Sequence, residues 1–207
     1  DEVREYYDIL RKKKFQLLIK RLFDIIVSAI MLILLSPAFL ILAIAIKIDS
    51  KGPVFYRQER VTRYGKKFRI FKFRSMVSGA DKKGSLVTVN NDARITRVGK
   101  LIRKCRLDEI SQLIDVFRGT MSFVGTRPEV TKYVEKYTPE MRATLLLRAG
   151  VTSEASICFK DEDELLSGAE NVDEVYVEKI LPEKMKYNLQ SIKKFSLFGD
   201  LKTMFRT

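Results

Sequence analysis

The sequence predicts an α+β fold that is mainly helical. It has an N-terminal re-entrant membrane helix hairpin, a small β-hairpin, and a helical cytosolic head with interfacial amphipathic helices. Three observations carry this prediction: an uncharged run from Ile25 to Ile46, two neighbouring β-branched and aromatic stretches, and apolar stripes at helical spacing through the rest. We expect residues 1–50 to form an amphipathic lead-in and the re-entrant helix, and residues 51–207 the cytosolic domain.

Composition excludes several kinds of chemistry. The 207 residues include 39 Lys and Arg against 26 Asp and Glu, a net charge of +13, with no His, no Trp and two Cys. Without histidine there is no Ser-His-Asp or Cys-His relay and no His-containing zinc or haem site. Two cysteines cannot complete a Cys₄ site, and we expect both to be reduced thiols. Reactive groups must therefore be carboxylates, Lys, Arg, Tyr, Ser/Thr or a metal held by oxygen. The positive charge predicts an anionic partner.

The apolar run determines how the chain meets a membrane. Its 22 residues exceed the roughly 20 that a hydrocarbon core requires. Lys and Arg flank both ends and prefer the cytoplasmic side, and Ser36-Pro37 interrupts the middle. A helix broken at Ser36 and Pro37 could enter and leave on the same side, so we favour a re-entrant hairpin over a kinked full span. Residues 1–24 fit either an interfacial amphipathic helix or a frayed basic tail.

Two stretches after the hairpin predict strands. Residues 53–61 and 67–74 are β-branched and aromatic, and the turn at 62–65 joins them into a β-hairpin. Residues 77–92 are rich in Gly, Ser, Asn and Asp and predict a loop.

The remaining chain predicts helices. We expect helices over Ile95–Arg106 and Asp108–Arg118, either separate or continuous, with Gly119 ending the second. A further helix should begin near Pro128. Residues 160–174 are acidic and predict a surface insertion, and residues 182–206 are amphipathic, either packed in the core or lying at the membrane interface.

The strongest chemical signal is an adjacent pair of carboxylates among arginines. Asp108-Glu109 follows Arg103, and Arg127 lies in a loop shortly after. A carboxylate pair in a first helical turn can simply stabilise the helix dipole. The surrounding arginines also suit a phosphate, because their planar fork matches its oxygens. An Asp that attacks phosphorus forms an acyl phosphate, and Mg²⁺ offsets the repulsion between nucleophile and phosphate.

A second basic element lies on the predicted β-hairpin. Residues 71–74 read Phe-Lys-Phe-Arg, so Lys72 and Arg74 alternate with aromatic residues. Three interpretations stay open at this point: stacking on nucleic-acid bases with phosphate contacts, holding a pyrophosphate in an enzyme, or a solvated surface strand.

Taken together, these residues resemble a known family. The motifs are Ser36-Pro37, Gly52-Pro-Val-Phe55, Phe71-Lys-Phe-Arg-Ser-Met76, Asp92-Ala-Arg-Ile-Thr-Arg-Val-Gly99, Leu101-Ile-Arg103, Leu107-Asp-Glu109, Gln112-Leu-Ile, Met121-Ser-Phe-Val-Gly125 and Arg127-Pro-Glu129. Over residues 20–150 the chain is similar to the bacterial sugar transferases, in their small monotopic phosphoglycosyl transferase form.

The resemblance implies an activity. It implies transfer of a sugar-1-phosphate from a UDP-sugar to undecaprenyl (polyprenol) phosphate, releasing UMP, as the first membrane step of glycan biosynthesis. The enzyme would be monotopic in the bacterial inner membrane, with its catalytic head in the cytoplasm. Its partners would be the two substrates and anionic membrane lipids, with no nucleic acid, and it could form a homo-oligomer.

The resemblance also assigns residues. It makes Asp108 the nucleophile, forming a covalent phosphosugar, and a Mg²⁺ ligand, with Glu109 as its dyad partner. Lys72, Arg103, Arg127 and Arg148 would bind phosphates or the donor, and Ser36-Pro37 would break the membrane helix. The chain departs from the family pattern at Thr126, where Pro is common, and over residues 153–162.

Two other readings are kept as alternatives. The chain could be a membrane-anchored basic protein that binds nucleic acid, although adjacent carboxylates would repel a nucleic-acid backbone. It could also be a catalytically inactive scaffold of the same fold, if the divergent stretch has lost donor binding.

Overall fold

The computed structural model describes residues 2–80, 92–162 and 171–207, and these residues are mainly helical with two small sheets. The helices, numbered in chain order, are α1 (Glu2–Lys12), α2 (Lys14–Leu34), α3 (Ser36–Asp49), α4 (Arg97–Lys104), α5 (Leu113–Arg118), α6 (Thr131–Val134), α7 (Glu154–Cys158), α8 (Val172–Val175), α9 (Leu181–Lys193) and α10 (Leu197–Arg206). A π-helical turn, Tyr176–Ile180, joins α8 to α9.

Helices α2 and α3 form a bent apolar pair. Their axes differ in direction by 61°, and the hydroxyl of Ser36 donates to the carbonyl of Ile33 at the break (2.8 Å). Pro37 fits there because the first turn of α3 needs no donor from it. In the described part of the chain no helix alone is long and apolar enough to cross a bilayer, but this pair is when taken together. Over the uncharged residues 25–46 its large exposed side chains are apolar: Ile26, Ile30, Met31, Ile33, Leu34, Leu40, Ile41 and Ile44.

The first arm of the pair is fixed to the head by two polar side chains. The guanidinium of Arg21 donates to the carbonyls of Val116 (2.7 Å) and Phe117 (2.9 Å), at the end of α5. One turn later the buried carboxylate of Asp24 accepts from the amide of Phe123 (3.2 Å). Both contacts give backbone groups of the head a side-chain partner on a largely apolar helix.

The second arm is fixed by its carboxyl end. The buried guanidinium of Arg74 donates to the carbonyl of Ser50 (2.6 Å) and to that of Ile46 (3.3 Å), which also accepts from the amide of Ser50 where α3 ends. A cation at this position also suits the negative end of the helix dipole. On the same arm, Asp49 accepts from the amide of Val98 (2.9 Å) at the start of α4.

Two sheets support the rest of the head. The predicted β-hairpin is confirmed: β1 (Phe55–Val61) and β2 (Lys67–Phe73) pair antiparallel, with Gln58 opposite Ile70. The second sheet was not predicted. It pairs β3 (Met121–Val124) with β4 (Ala149–Thr152) in parallel. The backbone of Gly150 on β4 approaches that of Gly125, just after β3, so closely that a Cβ on Gly150 would lie 2.1 Å from the amide nitrogen of Gly125.

The predicted helices around the carboxylate pair are confirmed in part. Helix α4 lies within the expected Ile95–Arg106, but no continuous helix follows. Arg106 adopts the left-handed conformation (φ 52°), and a 3₁₀ helix over Leu107–Gln112 precedes α5. Gly119 ends α5 with φ 86°, as expected. The residue at 106 therefore separates two helical segments that the hydrophobic spacing alone could not divide.

Both ends of the chain pack together. The segment 182–206 forms two helices, α9 and α10, instead of one stripe. Helix α1 buries Tyr6 and Leu10 against Ala143 of a 3₁₀ turn and Leu189 of α9. The alternative of a frayed basic tail is therefore wrong, because the apolar face of α1 is part of the core.

Two smaller expectations need adjustment. The helix placed near Pro128 is a single turn that begins at Thr131. Of the acidic stretch 160–174, residues 163–170 lie outside the described chain, as do residues 81–91 of the predicted loop. Glu162 is not a solvated surface charge, because its carboxylate accepts from the buried ammonium of Lys184 (2.7 Å).

Candidate active site

The carboxylate pair lies on the 3₁₀ helix that follows Arg106, and this helix packs against strand β2. The hydroxyl of Ser111, one turn after Asp108, donates to the carbonyl of Phe71 (3.0 Å) and fixes the two elements together. Lys72, the next residue on β2, therefore faces both carboxylates: its Nζ lies 3.1 Å from Oε1 of Glu109 and 3.9 Å from Oδ2 of Asp108.

Glu109 is committed to two cations. Besides Lys72, the guanidinium of Arg127 lies 2.6 Å from its Oε1. Burial alone would raise the pKa of Glu109, but the charges and hydrogen bonds of Arg127 and Lys72 outweigh burial and hold that pKa well below its ordinary value. The same contact raises the pKa of Arg127 despite desolvation. Glu109 therefore acts as a permanent anion that positions two donors.

Asp108 is in a different electrostatic position. Its side chain is 19% exposed, and Lys72 lies beyond hydrogen-bond distance from it. Desolvation raises the pKa of Asp108; the ammonium of Lys72 opposes the shift, and the charge of Glu109 adds to it. Of the two adjacent carboxylates, Asp108 is thus the more basic and the less tightly paired with cations.

Arg103 joins this cluster, and Arg148 does not. The Nε of Arg103 donates to the hydroxyl of Ser75 (2.9 Å), and the side chain faces the same cavity as Asp108. The Nε of Arg148 instead donates to the carbonyl of Gly119 (2.9 Å), where desolvation and the charge of Arg21 lower its pKa. The expectation that Arg148 shares this site is therefore corrected: β4 runs parallel to β3, and Arg148, just before it, meets the end of α5.

Two clefts meet at Asp108. Cleft A has a volume of about 590 Å³ and extends from Asp108 along the β-hairpin to Pro53 and Val77. Cleft B has a volume of about 450 Å³ and extends past Arg127 to Tyr133 and Phe159. The residues common to both linings are Gln58, Arg60, Lys72, Arg103 and Asp108. One carboxylate is thus accessible from two separate volumes, each rich in Lys and Arg.

A buried polar network behind Arg127 was missed by sequence reasoning. The hydroxyl of Tyr176 donates to Glu129 (2.5 Å), and Lys184, 5% exposed, reaches both Glu162 and that hydroxyl (3.3 Å). Burial, followed by the charge of Glu129, raises the pKa of Tyr176 and keeps its proton in place. The signal in the sequence that could have indicated this network was Glu129, because a carboxylate that becomes buried needs hydrogen-bond partners.

The expected Mg²⁺ can be tested against the donor set. Within the described ranges, no group of three or more Asp, Glu, Cys or His side chains could hold a metal unaided. Mg²⁺ often binds through one or two carboxylates together with substrate phosphates. Asp108 fits that mode, because Lys72 lies 3.9 Å from its carboxylate, whereas Oε1 of Glu109 accepts from both Lys72 and Arg127. The residues therefore fit a Mg²⁺ that binds together with a phosphorylated ligand.

A family model described as bacterial sugar transferase matches residues 15–207. The chain belongs to this family. Three relatives illustrate the similarity. A protein of Aeromonas hydrophila named UDP-N-acetylgalactosamine-undecaprenyl-phosphate N-acetylgalactosaminephosphotransferase is 35% identical over 80% of this chain and 37% of its own length. Proteins named UDP-glucose:undecaprenyl-phosphate glucose-1-phosphate transferase are 33% identical in Escherichia coli K12 and 34% identical in Caulobacter vibrioides.

This bacterial sugar transferase corresponds to only part of those relatives. The matches cover 80% of the chain for the Escherichia coli protein and 81% for the Caulobacter protein, but 34% and 60% of the relatives' own lengths. The matched region in each case is long enough to include most of the head described above.

The left-handed residue before the carboxylate pair gives a first prediction. A side chain in this conformation costs about 1–2 kcal/mol, which glycine avoids. We expect Arg106→Gly to leave the unfolding temperature unchanged or to raise it. Glycine removes the cost of the left-handed conformation, but it loses more backbone entropy on folding, which offsets part of that gain. Arg106→Val should lower it, since a β-branched residue tolerates this backbone least. Thermal unfolding of the detergent-solubilised chain distinguishes the two, and equal losses in both would contradict the backbone explanation.

Proposed function

We propose that this chain transfers a sugar-1-phosphate from a UDP-sugar to a polyprenol phosphate such as undecaprenyl phosphate, releasing UMP. Asp108 would carry the phosphosugar as a covalent intermediate. The observation that supports this most directly is the position of Asp108 where clefts A and B meet, accessible from both. Family membership and the names of the relatives support the same class of reaction, as does the pattern of paired and available carboxylates.

In the first half-reaction an oxygen of Asp108 attacks the β-phosphorus of the donor. The bond from this phosphorus to the bridging oxygen breaks, and UMP leaves with that oxygen. An acyl phosphate to the sugar forms on Asp108. Glu109 holds the ammonium of Lys72 and the guanidinium of Arg127 beside Asp108, and these cations can stabilise the charge that develops on the phosphoryl oxygens.

In the second half-reaction the phosphate oxygen of the lipid attacks the same phosphorus. The bond to Asp108 breaks, the carboxylate is regenerated, and the polyprenyl diphosphate sugar leaves. Both attacks occur at one phosphorus atom, so the site needs no second nucleophile. The phosphate of the acceptor is already ionised and does not require a general base, in keeping with a chain that lacks histidine.

The linings of the two clefts assign the substrates to different sides. Cleft A is lined by Pro53, Phe55 and Val77 as well as by Lys and Arg. These apolar side chains suit a phosphate that arrives on a hydrocarbon chain. Cleft B combines Arg106 and Lys160 with the aromatic rings of Tyr133 and Phe159, which suits a diphosphate bearing a base and a sugar. We therefore place the acceptor in cleft A and the donor in cleft B.

Mg²⁺ would act on the donor side. Asp108 would share the ion with phosphate oxygens of the donor, and the ion would neutralise charge on the diphosphate when bound. The chain itself supplies Arg103 and Lys72 beside this carboxylate, so the phosphate is oriented by fixed cations as well.

The apolar helix pair would hold the enzyme at the cytoplasmic face of the bacterial inner membrane. We propose that α2 and α3 dip into one leaflet and return, because Ser36-Pro37 bends them and basic residues flank both ends. The net charge of +13 would add attraction to anionic lipid head groups.

The nucleophile assignment makes the sharpest prediction. Asp108→Asn should abolish the covalent phosphosugar adduct and reduce UMP release by about 10³-fold or more, because the amide cannot attack phosphorus. UMP release and intact mass of the chain after incubation with a UDP-sugar panel and Mg²⁺ measure both effects. The matched control is Glu135→Gln, which removes an exposed carboxylate outside both clefts. Adduct formation at wild-type level in the Asn variant would reject the assignment.

The raised pKa of Asp108 predicts how the activity depends on pH, and the charges of Lys72 and Glu109 shift this dependence in opposite directions. Because only the carboxylate form attacks, kcat/KM for the donor should fall on the acid side, at a pH above that of an ordinary Asp. Lys72→Met removes a charge that lowers this pKa, so the acid limb should move to higher pH; Glu109→Gln removes a charge that raises it, so the limb should move lower. Shifts in the same direction for both variants would refute this electrostatic account.

Topology is tested separately from chemistry. In a background with Cys105→Ser and Cys158→Ser, the single substitutions Lys12→Cys and Lys51→Cys place a thiol on either side of the helix pair. A membrane-impermeant maleimide should label both from the cytoplasmic side of inverted vesicles and neither from the periplasmic side of intact spheroplasts. Labelling of one position from each side would establish a full span.

A further inference from the structure

A third cleft lies away from Asp108, between the two ends of the chain. Cleft C has a volume of about 330 Å³ and is bounded by α2, α9, α10 and the backbone of residues 124–126. Its cations are Lys20, Lys194, Lys202 and Arg206, and its carboxylates are Glu154 and Asp200. None of these residues takes part in the proposed reaction.

Two of the four cations in cleft C are available to a ligand. Lys20 pairs with Asp200, and Arg206 pairs with Glu154 (2.8 Å), so both carboxylates are neutralised. Within the described ranges, Lys194 and Lys202 have no carboxylate partner. Both are exposed at the cleft, which therefore carries two uncompensated positive charges.

Cleft C continues into an apolar slot. The slot has a volume of about 120 Å³ and shares Lys20, Val124 and Asp200 with cleft C. Its other walls are apolar except for Asp24, whose carboxylate accepts from the amide of Phe123. The apolar walls come from two facing helices and one strand: Ile19 and Phe23 on α2, Leu197, Leu201 and Met204 on α10, and Phe123 on β3. A cationic cavity that opens into an apolar slot matches an anion attached to a hydrocarbon chain.

The helices that form the slot also expose apolar side chains. On α10, Phe198 and Phe205 are 79% and 89% exposed. On α2, Phe15 and Leu22 are 73% and 57% exposed, and the apolar pair continues from the same helix. Single exposed apolar residues need no explanation, but two neighbouring stripes on either side of a slot favour contact with lipid over contact with water.

We propose that cleft C and the slot bind one anionic phospholipid. Its phosphate would lie between Lys194 and Lys202, and an acyl chain would enter the slot between α2 and α10. The inference rests on the proposed membrane attachment and not on the transferase chemistry. The lipid would differ from the acceptor, because cleft C is lined by none of the residues at which clefts A and B meet.

The test measures lipid selectivity at the slot without turnover. The chain has no Trp, so Leu201→Trp introduces a single fluorophore in the slot wall. In phosphatidylcholine nanodiscs containing a small fraction of brominated lipid, brominated phosphatidylglycerol should quench this Trp more strongly than brominated phosphatidylcholine. Adding Lys194→Gln and Lys202→Gln should abolish the preference, since each cation near a head group contributes about fivefold in binding.

A charge-matched control separates the site from the overall charge. Lys136→Gln with Lys179→Gln removes the same charge from exposed positions that line none of the three clefts or the slot, and the preference should survive. Native mass spectrometry of the unsubstituted chain with dioctanoyl phosphatidylglycerol or phosphatidylcholine gives a second readout that does not depend on the Trp.

Three outcomes would overturn the proposal: equal quenching by both lipids, an equal loss of the lipid preference in the control variant, or displacement of phosphatidylglycerol by glycerol 1-phosphate. The first two outcomes would indicate no site, and the third a site for soluble anions. UMP release stays unaffected in all three cases, so the reaction is judged independently.

Discussion

The contact between Arg74 and the carboxyl end of α3 joins the apolar arm to the reactive strand. Arg74 donates to the last carbonyls of α3, and Lys72, two residues earlier on β2, faces the carboxylate pair. Arg74 directly follows β2, so the strand whose end contacts α3 also positions the site's central cation. Removing the guanidinium would take away its hydrogen bonds to the carbonyls of Ser50 and Lys51, which follow the end of the apolar helix. One buried side chain thus connects the carboxyl end of α3 to the strand that carries Lys72.

The two adjacent carboxylates differ because of their neighbours and not because of their chemistry. Glu109 accepts from Lys72 and Arg127 and so is held as an anion, whereas Asp108 is desolvated and only approached by Lys72. This division resembles the general way in which a protein separates the roles of two acids, by moving their pKa values apart. The left-handed turn at Arg106 makes the division possible, because it ends α4 and directs the following 3₁₀ helix at β2.

Local patterns predicted the parts of the fold that local forces determine. The bent apolar pair, the β-hairpin and the stop at Gly119 follow from hydropathy, β-branched residues and glycine conformation. The pairing of β3 with β4 was not predictable in this way, because each strand has four residues and the partners are 28 residues apart. The position of Arg148 depends on that pairing. The Tyr176 network likewise depends on the late helices returning to the loop at Glu129, which no spacing in the sequence records.

The limited overlap of clefts A and B has a consequence for how such a chain can diversify. Of clefts A and B, residues of α7 and its end, such as Ser156, Phe159 and Lys160, line cleft B alone. They fall within or beside residues 153–162, where the family resemblance predicts a departure from the common pattern. Under the proposed assignment of the donor to cleft B and the lipid acceptor to cleft A, exchanges there would reshape the donor cleft and leave the acceptor cleft intact. A lineage can thus acquire a new monosaccharide without re-evolving recognition of its carrier, and an engineer could graft that short segment between homologues for the same purpose.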